Sequence, residues 1–398
     1  MTSSRRRALA GIWSLSAGVT GFYLFALARS VADTRSAEPL TLASANQAPT
    51  MPRGEAWPRV SIVVPARDEE RNIRRCVESL LAQDYENVEV IVVDDGSTDA
   101  TPAILRRLQQ TPAGRERLRI IRVDALPAGW AGKPHALHVG VREATGDWLL
   151  FTDADTDHHP GALRSAVLRA ERDGVDLFTI GTSQAAPDFW NRTLMPIAYM
   201  GISFMYPPSL VNNTRSRVAI ANGQYLLIRR ATYEAVGGYD TDELRGTVVD
   251  DLGLARVVKR SGARLLLADG RGLVTTHMYH SLAEHWNGWG KNAFAGSRGG
   301  ALAFAVMTPG LPLVTVGPFA LLVAGLARRD RRLALAGALP AVAALGYRAY
   351  LDRMLEIPLR YGWTHPLGGA VFTGILARSF WHRLRGVTVP WRGRSYAA

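Results

Sequence analysis

Cysteine is nearly absent from this chain: Cys76 is the single one in 398 residues. One thiol excludes an intrachain disulfide and a four-cysteine zinc site, and it fits a reducing compartment. Lysine is scarce too, limited to Lys133, Lys259 and Lys291, so the formal net charge of +12 is carried by arginine. There is no helix-turn-helix signal, no zinc-finger spacing and no basic stripe interleaved with aromatics, and nucleic acid is therefore not an expected partner. No GxGxxG follows the first strand pattern and no GxxxxGK[ST] occurs, which disfavours a standard dinucleotide-binding domain and a phosphate-binding P-loop. Internal repeats and low-complexity tracts are missing as well.

What the chain has is apolar material, 47% of its residues, enough for a sizeable core. Its arginines cluster beside the apolar runs, as in Arg5-Arg6-Arg7, Arg328-Arg329 with Arg331-Arg332, and Arg383 to Arg394. Membrane proteins place positive charge at their interfaces in this way. Ala8 to Val31 carries Trp13, Phe22 and Tyr23 without an acidic residue and is long enough to span a bilayer. A cleaved signal peptide would need a small-x-small site after a short apolar core, and none is convincing. The expected organisation is a hydrophobic anchor (1–32), a linker rich in Ala, Ser, Thr and Pro (33–58), an α/β domain (59–298) and a membrane-associated helical region (299–398).

In that last region Ala301 to Ala327 holds no charged residue and is broken by Pro309, Gly310, Pro312 and Pro318, the pattern of membrane insertion or re-entry. Leu333 to Leu345 is a second apolar run. Leu367 to Ala377 is a third, which reads equally as a buried helix.

Between Val60 and about Gly290, short β-branched runs alternate with helical segments, the mark of an α/β domain with a largely parallel sheet. Strands are expected at Ser61 to Val64, Val88 to Val93, Leu118 to Val123 and Trp148 to Thr152, with helices at Glu69 to Gln83 and Ala100 to Gln110.

The sharpest local signal follows the apolar strand Trp148 to Phe151: Thr152-Asp153-Ala154-Asp155. In an extended chain, residues two apart face one side, so both carboxylates meet at one point while Ala154 turns away. Two hard oxygen ligands leave the rest of a Mg²⁺ or Mn²⁺ shell open for water and phosphates. A solvated acidic loop is the plain alternative. Val93-Asp94-Asp95-Gly96-Ser97-Thr98-Asp99 also ends an apolar strand in carboxylates, with Gly96 permitting a tight turn. Ligands of open α/β sheets sit beyond the carboxyl ends of strands, so two such ends imply one cleft. Asp99 reads better as a turn or N-cap residue.

Taken with Val64-Pro65-Ala66-Arg67-Asp68-Glu69-Glu70 at the first strand and Gly132-Lys133 before a helix, these motifs resemble the family 2 glycosyltransferases over residues 60 to 290. The resemblance implies the GT-A fold, a nucleotide-sugar-binding, Rossmann-like mixed sheet, here flanked by N- and C-terminal membrane-associated helices. It implies a nucleotide diphosphate sugar donor, with Asp95 on the base and Glu69, or else Asp68, helping to hold the nucleoside. Pro65 belongs to the same donor-binding set. Lys133 sits where a cation would offset the diphosphate, and Asp155 with Asp153 would hold the metal.

The family places its catalytic base in an acidic pair before a helix, and Val249-Asp250-Asp251-Leu252 is similar to that element. Asp251 is the expected base, Asp250 the alternative, and helix capping the plain reading of both. Where a processive polysaccharide synthase would carry Gln-x-x-Arg-Trp, this chain has Trp286-Asn287-Gly288-Trp289-Gly290-Lys291. That version resembles members acting on carotenoids, hopanoid-like lipids or other membrane acceptors. Trp286 and Trp289 would stack on sugar or seat the domain at the membrane interface, although their spacing serves packing equally, and Lys291 would meet the departing diphosphate. His277, His280 and His285 fit no compact zinc motif, His277 as a third metal ligand is a weaker alternative, and His158 and His159 read as loop residues.

The expected activity is inverting, metal-dependent transfer of one sugar to a lipid acceptor at the cell membrane, with the catalytic domain facing the cytoplasm. Alternatives are a polyprenyl phosphate or polysaccharide acceptor, or a non-catalytic scaffold keeping the fold. Arg5 to Arg7 strain the orientation, because a single crossing after a cytosolic N-terminus would put the domain outside.

Overall fold

The computed structural model describes residues 3–42, 51, 56–295, 300–391 and 394–397. Helix α1 (Ser3–Thr34) is followed by the sheet-forming body: β1 (Val60–Ala66), α2 (Ile73–Leu81), β2 (Val88–Asp94), α3 (Thr101–Gln109), α4 (Pro112–Arg117), β3 (Leu118–Arg122), α5 (Gly132–Glu143) and β4 (Trp148–Phe151). Next come β5 (Thr156–His158), α6 (Ala162–Arg172), β6 (Leu177–Gly181), β7 (Ser183–Gln184), α7 (Phe189–Met205), α8 (Pro208–Val211), β8 (Leu226–Arg229) and α9 (Arg230–Ala235). The body closes with α10 (Asp250–Arg260), β9 (Leu265–Asp269), β10 (Val274–Thr276) and α11 (Leu282–Ala295). Helices α12 (Gly300–Thr315), α13 (Gly317–Ala327), α14 (Arg331–Met354) and α15 (His365–Arg385) form the C-terminal region, before a hairpin of β11 (Thr388–Trp391) and β12 (Arg394–Ala397).

Seven strands form one mixed sheet in the order β3-β2-β1-β4-β8-β6-β9. β8 runs antiparallel to both β4 and β6, and the other pairs are parallel. Every residue of β2 is buried, as a strand covered on both faces requires. Alternation divides the core: Ile62 and Val64 pack on the face of α2, α3 and α6, and Val63, Ile91 and Val93 on the face of α5 and α10. A small sheet, β5-β10-β7, lies beyond the carboxyl end of β4.

The four strands expected from the sequence are present to within two residues at either end. The helix expected from Glu69 begins instead at Ile73. Asp68 takes a left-handed φ of 51°, which no helix continues, and residues 67–70 bond to the segment after β2.

Part of the stretch read as a linker is docked. Leu40 N–H reaches Asp269 O at 2.7 Å, Asp269 N–H reaches Glu38 O at 3.2 Å, and the Leu40 side chain enters the core. Residues 43–50 and 52–55 lie outside the described residues.

Four described helical stretches are long and apolar enough to cross a membrane by length and composition: Leu9–Thr34, Phe189–Val211, Phe304–Ala327 and Arg331–Met354. The first, third and fourth fall on runs read from the sequence; the second was not anticipated. The break expected within Ala301 to Ala327 falls at Val316, between α12 and α13. The Leu367 to Ala377 run lies in α15, whose Gly368, Gly369, Phe372, Ile375 and Leu376 are buried against α7, α11 and α12. It is a packed helix.

Helices α1 and α14 pack in parallel, since Tyr23 meets Tyr347 and Ser30 meets Tyr347 and Tyr350 further along both. Small residues set the closest approaches of α13 and α14: a Cβ on Gly325 would stand 2.3 Å from Ala334 N, and one on Gly337 2.3 Å from Leu322 N.

Candidate active site

The loops after β1 and β2 are laced together. Asp68 N–H donates to Ser97 Oγ, and Asp68 Oδ1 accepts from Thr98 N–H at 2.8 Å. Glu70 N–H donates to Asp99 Oδ2 at 3.0 Å, while Asp99 Oδ1 accepts from Thr101 N–H at 2.9 Å, so Asp99 is a turn residue as expected. Asp68 and Glu69 both line the cleft near Pro65, Asp68 with its carboxylate spent in this lacing and Glu69 only 8% exposed. In the second motif the two carboxylates divide their work. Asp94 accepts from Ser97 N–H at 2.9 Å and pairs with Arg122 at 2.7 Å, which fixes the turn at Gly96 (φ 69°). Asp95 lines the cleft, its backbone held by Arg67 and Ala66.

The Asp153–Asp155 segment is a turn, not the extended chain expected. Thr156 Oγ1 donates back to Asp153 O at 2.8 Å and closes it. The outcome for the side chains is the one alternation predicts: Ala154 is buried, and Asp153 and Asp155 both line the cleft. His277 N–H donates to Asp155 O at 2.9 Å, which ties the turn to the strand β10 side. His158 is not a loop residue. It lies buried in β5 against Thr152 and Thr156, and burial pushes its imidazole down to about 3.

Opposite this turn, the first turns of α5 and α10 converge. Lys133 Nζ lies 2.7 Å from Asp153 Oδ1 and 3.3 Å from Asp250 Oδ1. Burial alone would lower the Lys133 ammonium, but Asp153, Asp250 and Asp251 outweigh it and hold it above the ordinary lysine value. Asp250 is buried, also accepting from Tyr239 OH at 3.4 Å. Burial pushes its carboxyl up to about 6, with Lys133 opposing the rise and Asp251 and Asp153 adding to it. Asp251 is less buried, and its Oδ2 accepts from Gly223 N–H at 2.8 Å and its Oδ1 from Leu252 N–H at 2.7 Å. Val249 is the N-cap residue and gives no side-chain cap bond, so the two acids occupy the first turn and complement the dipole without being the cap itself.

Among the described residues no group of three or more His, Cys, Asp or Glu side chains is placed to hold a metal by itself. Asp153 and Asp155, both hard oxygen donors on the cleft wall, fit a divalent cation that takes its other ligands from phosphate and water. His277 does not line the cleft, and His285 is fully buried against Tyr279, so the three histidines do not converge on a zinc ion.

The cleft encloses about 960 Å³ and continues past the carboxylates. A polar ring that the sequence reading missed comes next. Thr182 Oγ1 donates to Gln224 Oε1, Gln184 Nε2 donates to the same oxygen at 3.1 Å, and Asn222 Nδ2 at 3.2 Å. The signal was there in Asn222-Gly223-Gln224, a polar triplet between apolar neighbours. Beyond the ring the walls are Ile202 and Tyr206 of α7 with its neighbour, Leu351 and Met354 of α14, and the end of α1. Trp289, Lys291 and Asn292 also line the cleft. Trp286 does not. Its ring covers Gly374 of α15, where a Cβ would meet it at 2.7 Å.

Residues 61–237 match the family model described as Glycosyl transferase family 2. A beta-monoglucosyldiacylglycerol synthase of Synechocystis is 30% identical over 248 residues, 61% of this chain and 47% of that protein. The chain therefore spans about half the length of that relative. A 4,4'-diaponeurosporenoate glycosyltransferase of Staphylococcus aureus is 26% identical over 352 residues, covering 85% of this chain and 88% of its own. Among solved structures, a mannosyltransferase of Pyrobaculum calidifontis in complex with GDP-Man and Mn²⁺ aligns with 90% of this chain and 99% of its own, at TM-score 0.53 and 21% identity. That likeness shows the fold.

Proposed function

We propose that this chain, a family 2 glycosyltransferase of the GT-A fold, transfers one sugar from a nucleotide diphosphate sugar to a lipid acceptor lying in the membrane, with inversion at the anomeric carbon. The observation that carries the reading is the continuity of one cleft from Asp95, Asp153, Asp155 and Asp251 to the apolar walls that Met195 and Ile202 of α7 and Leu351 and Met354 of α14 provide. A soluble acceptor would have no use for that second half. The names of the two relatives, one for a glucosylated diacylglycerol and one for diaponeurosporenoate, support the same acceptor class.

Asp95 and Glu69, beside Pro65, bind the nucleoside, and Lys133 and Lys291 face the diphosphate. Asp153 and Asp155 would hold Mg²⁺ or Mn²⁺, whose chemistry is to neutralise the leaving diphosphate. Asp251 takes the proton from the acceptor hydroxyl as its oxygen bonds the anomeric carbon and the bond from that carbon to the diphosphate breaks. Asp251 suits this better than Asp250, which is buried and occupied by Lys133 and Tyr239. Asp250 positions Lys133. Trp289 lines the cleft where a sugar face can stack, and Trp286 joins the helical packing. The cleft faces the cytoplasm, where nucleotide sugars are made.

The test is purified full-length protein in lipid nanodiscs with UDP- and GDP-sugars, Mn²⁺ and extracted membrane lipids, read by mass of the product and by NMR of its anomeric centre. Wild type should yield a glycolipid of inverted configuration, and Asp155→Asn and Asp251→Asn should not. No product from wild type, as from both variants, would end the enzyme reading, and equal transfer by all three would remove Asp155 and Asp251 from the site.

A further inference from the structure

We propose that Lys133 competes with the divalent cation for Asp153, so that cation and nucleotide bind cooperatively, the donor's diphosphate drawing the ammonium away from the carboxylate. The inference rests on the metal reading of Asp153 and Asp155 given above.

The geometry is that of a competitor. Nζ stands 2.7 Å from Asp153 Oδ1 and 3.3 Å from Asp250 Oδ1, bridging a carboxylate of the metal turn to one from the first turn of α10. An oxygen engaged at that distance by an ammonium cannot give the same lone pair to a metal without setting two cations side by side. Charge favours exchange: one ammonium faces Asp153, Asp250 and Asp251, and a divalent ion brings twice its charge to the same acids. The stem is free enough to move. Lys133 is 32% exposed, and Gly223 beside it has no side chain. A Cβ there would stand 2.8 Å from Nζ, so glycine keeps the space around the ammonium head open.

A ligand that relocates Lys133 frees Asp153, and any such coupling is reciprocal: nucleotide tightens cation binding by the factor by which cation tightens nucleotide binding. A diphosphate is the part of the donor that can do this, because it offers the ammonium a second anionic partner while the sugar does not. Lys133 thus acts twice, as the counter-ion of Asp153 before the donor arrives and of the diphosphate afterwards.

The experiment is Mn²⁺ titration of full-length protein in nanodiscs, followed by the electron paramagnetic resonance signal of free Mn²⁺, with and without UDP or GDP. Wild type should bind Mn²⁺ about tenfold more tightly with nucleotide than without it. Lys133→Met should bind Mn²⁺ alone about tenfold more tightly than wild type, with the nucleotide effect reduced to what direct ligation by the diphosphate leaves. Lys133→Arg, which keeps the cation, should stay near wild type and guards against a misfolded Met variant. If Lys133→Met binds Mn²⁺ alone no better than wild type, while Asp155→Asn loses binding, competition is overturned and the metal site stands. If wild type binds no Mn²⁺ under either condition, the metal reading falls and this inference with it.

Discussion

Gly223 donates its N–H to Asp251 Oδ2 at 2.8 Å, and its lack of a side chain is what allows Asp251 and Lys133 to share one corner of the cleft. A Cβ built on it would stand 3.2 Å from Asp251 Oδ2 and 2.8 Å from Lys133 Nζ. Its φ is not left-handed, so the demand for glycine here is one of space. Gly223→Val should therefore leave folding intact, with a melting temperature within a few degrees of wild type. It should cut kcat roughly a hundredfold by displacing the base from its productive position. A variant with wild-type kcat would remove Asp251 from the chemistry as assigned.

Asp250 gives the stability a pH dependence of known sign. Its folded carboxyl titrates near 6 against an ordinary 3.8, so the native state holds this proton more firmly than the unfolded chain does. The stabilising contribution is complete below pH 3.8 and is lost as pH rises through 6. Asp250→Asn, which cannot ionise, should lack this loss: between pH 4 and 7 its melting temperature in detergent should decline less than that of wild type. Parallel profiles for the two proteins would show that Asp250 is ionised throughout, held so by Lys133.

How far the site could be read in advance depended on whether its residues sat in runs. The β1, β2 and β4 strands are rich in Val, Ile, Leu and Phe, and the carboxylates at or just after their ends are conspicuous against such runs. Glu69, Glu70 and Arg71 are good helix formers, yet no helix forms there, because the local preference is overridden by bonds from residues 68–70 to a segment some 30 residues later. Helix α7 was passed over because Asn191, Arg192 and Pro196 interrupt its apolar pattern, and because it lies in the middle of the α/β stretch. The ring of Thr182, Gln184, Asn222 and Gln224 joins two segments about 40 residues apart, so the polar triplet at 222–224 gives no sign of its partners. Trp286 and Trp289, three residues apart on one helix, were assigned a shared role, and only packing against Gly374 separates them.

The apolar half of the cleft can be blocked without touching the donor site. Ser203 of α7 lines it and is small. Ser203→Trp should reduce transfer to a lipid acceptor more than about tenfold, the indole filling the path by which the acceptor's tail reaches Asp251. Donor affinity, measured by isothermal titration with UDP or GDP and Mn²⁺, should be unchanged. Loss of donor binding together with transfer would mean that this half of the cleft belongs to the donor, and full retention of transfer would place the acceptor elsewhere.

The parallel packing of α1 and α14 fixes which ends of the bundle lie together. Tyr23 and Tyr347 touch, and sixteen residues before each stand Arg7 and Arg331, so both arginine clusters lie towards one end, about 24 Å from the contact at 1.5 Å per residue. Thr34 and Met354, at the other ends of the same helices, border the cleft. Counted by charge, the arginine end belongs inside; counted by the donor's whereabouts, the cleft does. Cys76 is fully buried, so the native chain is a quiet background for thiol labelling. Arg35 and Arg328 are exposed at opposite ends of the bundle and make the comparison direct. In intact cells a membrane-impermeant maleimide should leave Arg35→Cys unlabelled until the membrane is opened, because the cleft end must share a compartment with its nucleotide sugar. If Arg328→Cys is labelled from outside, the bundle crosses the bilayer against its charge; if it too needs opening, the helices enter and return on one side. Labelling of Arg35→Cys from outside would put the cleft beyond the reach of cytoplasmic donors and overturn the assigned orientation.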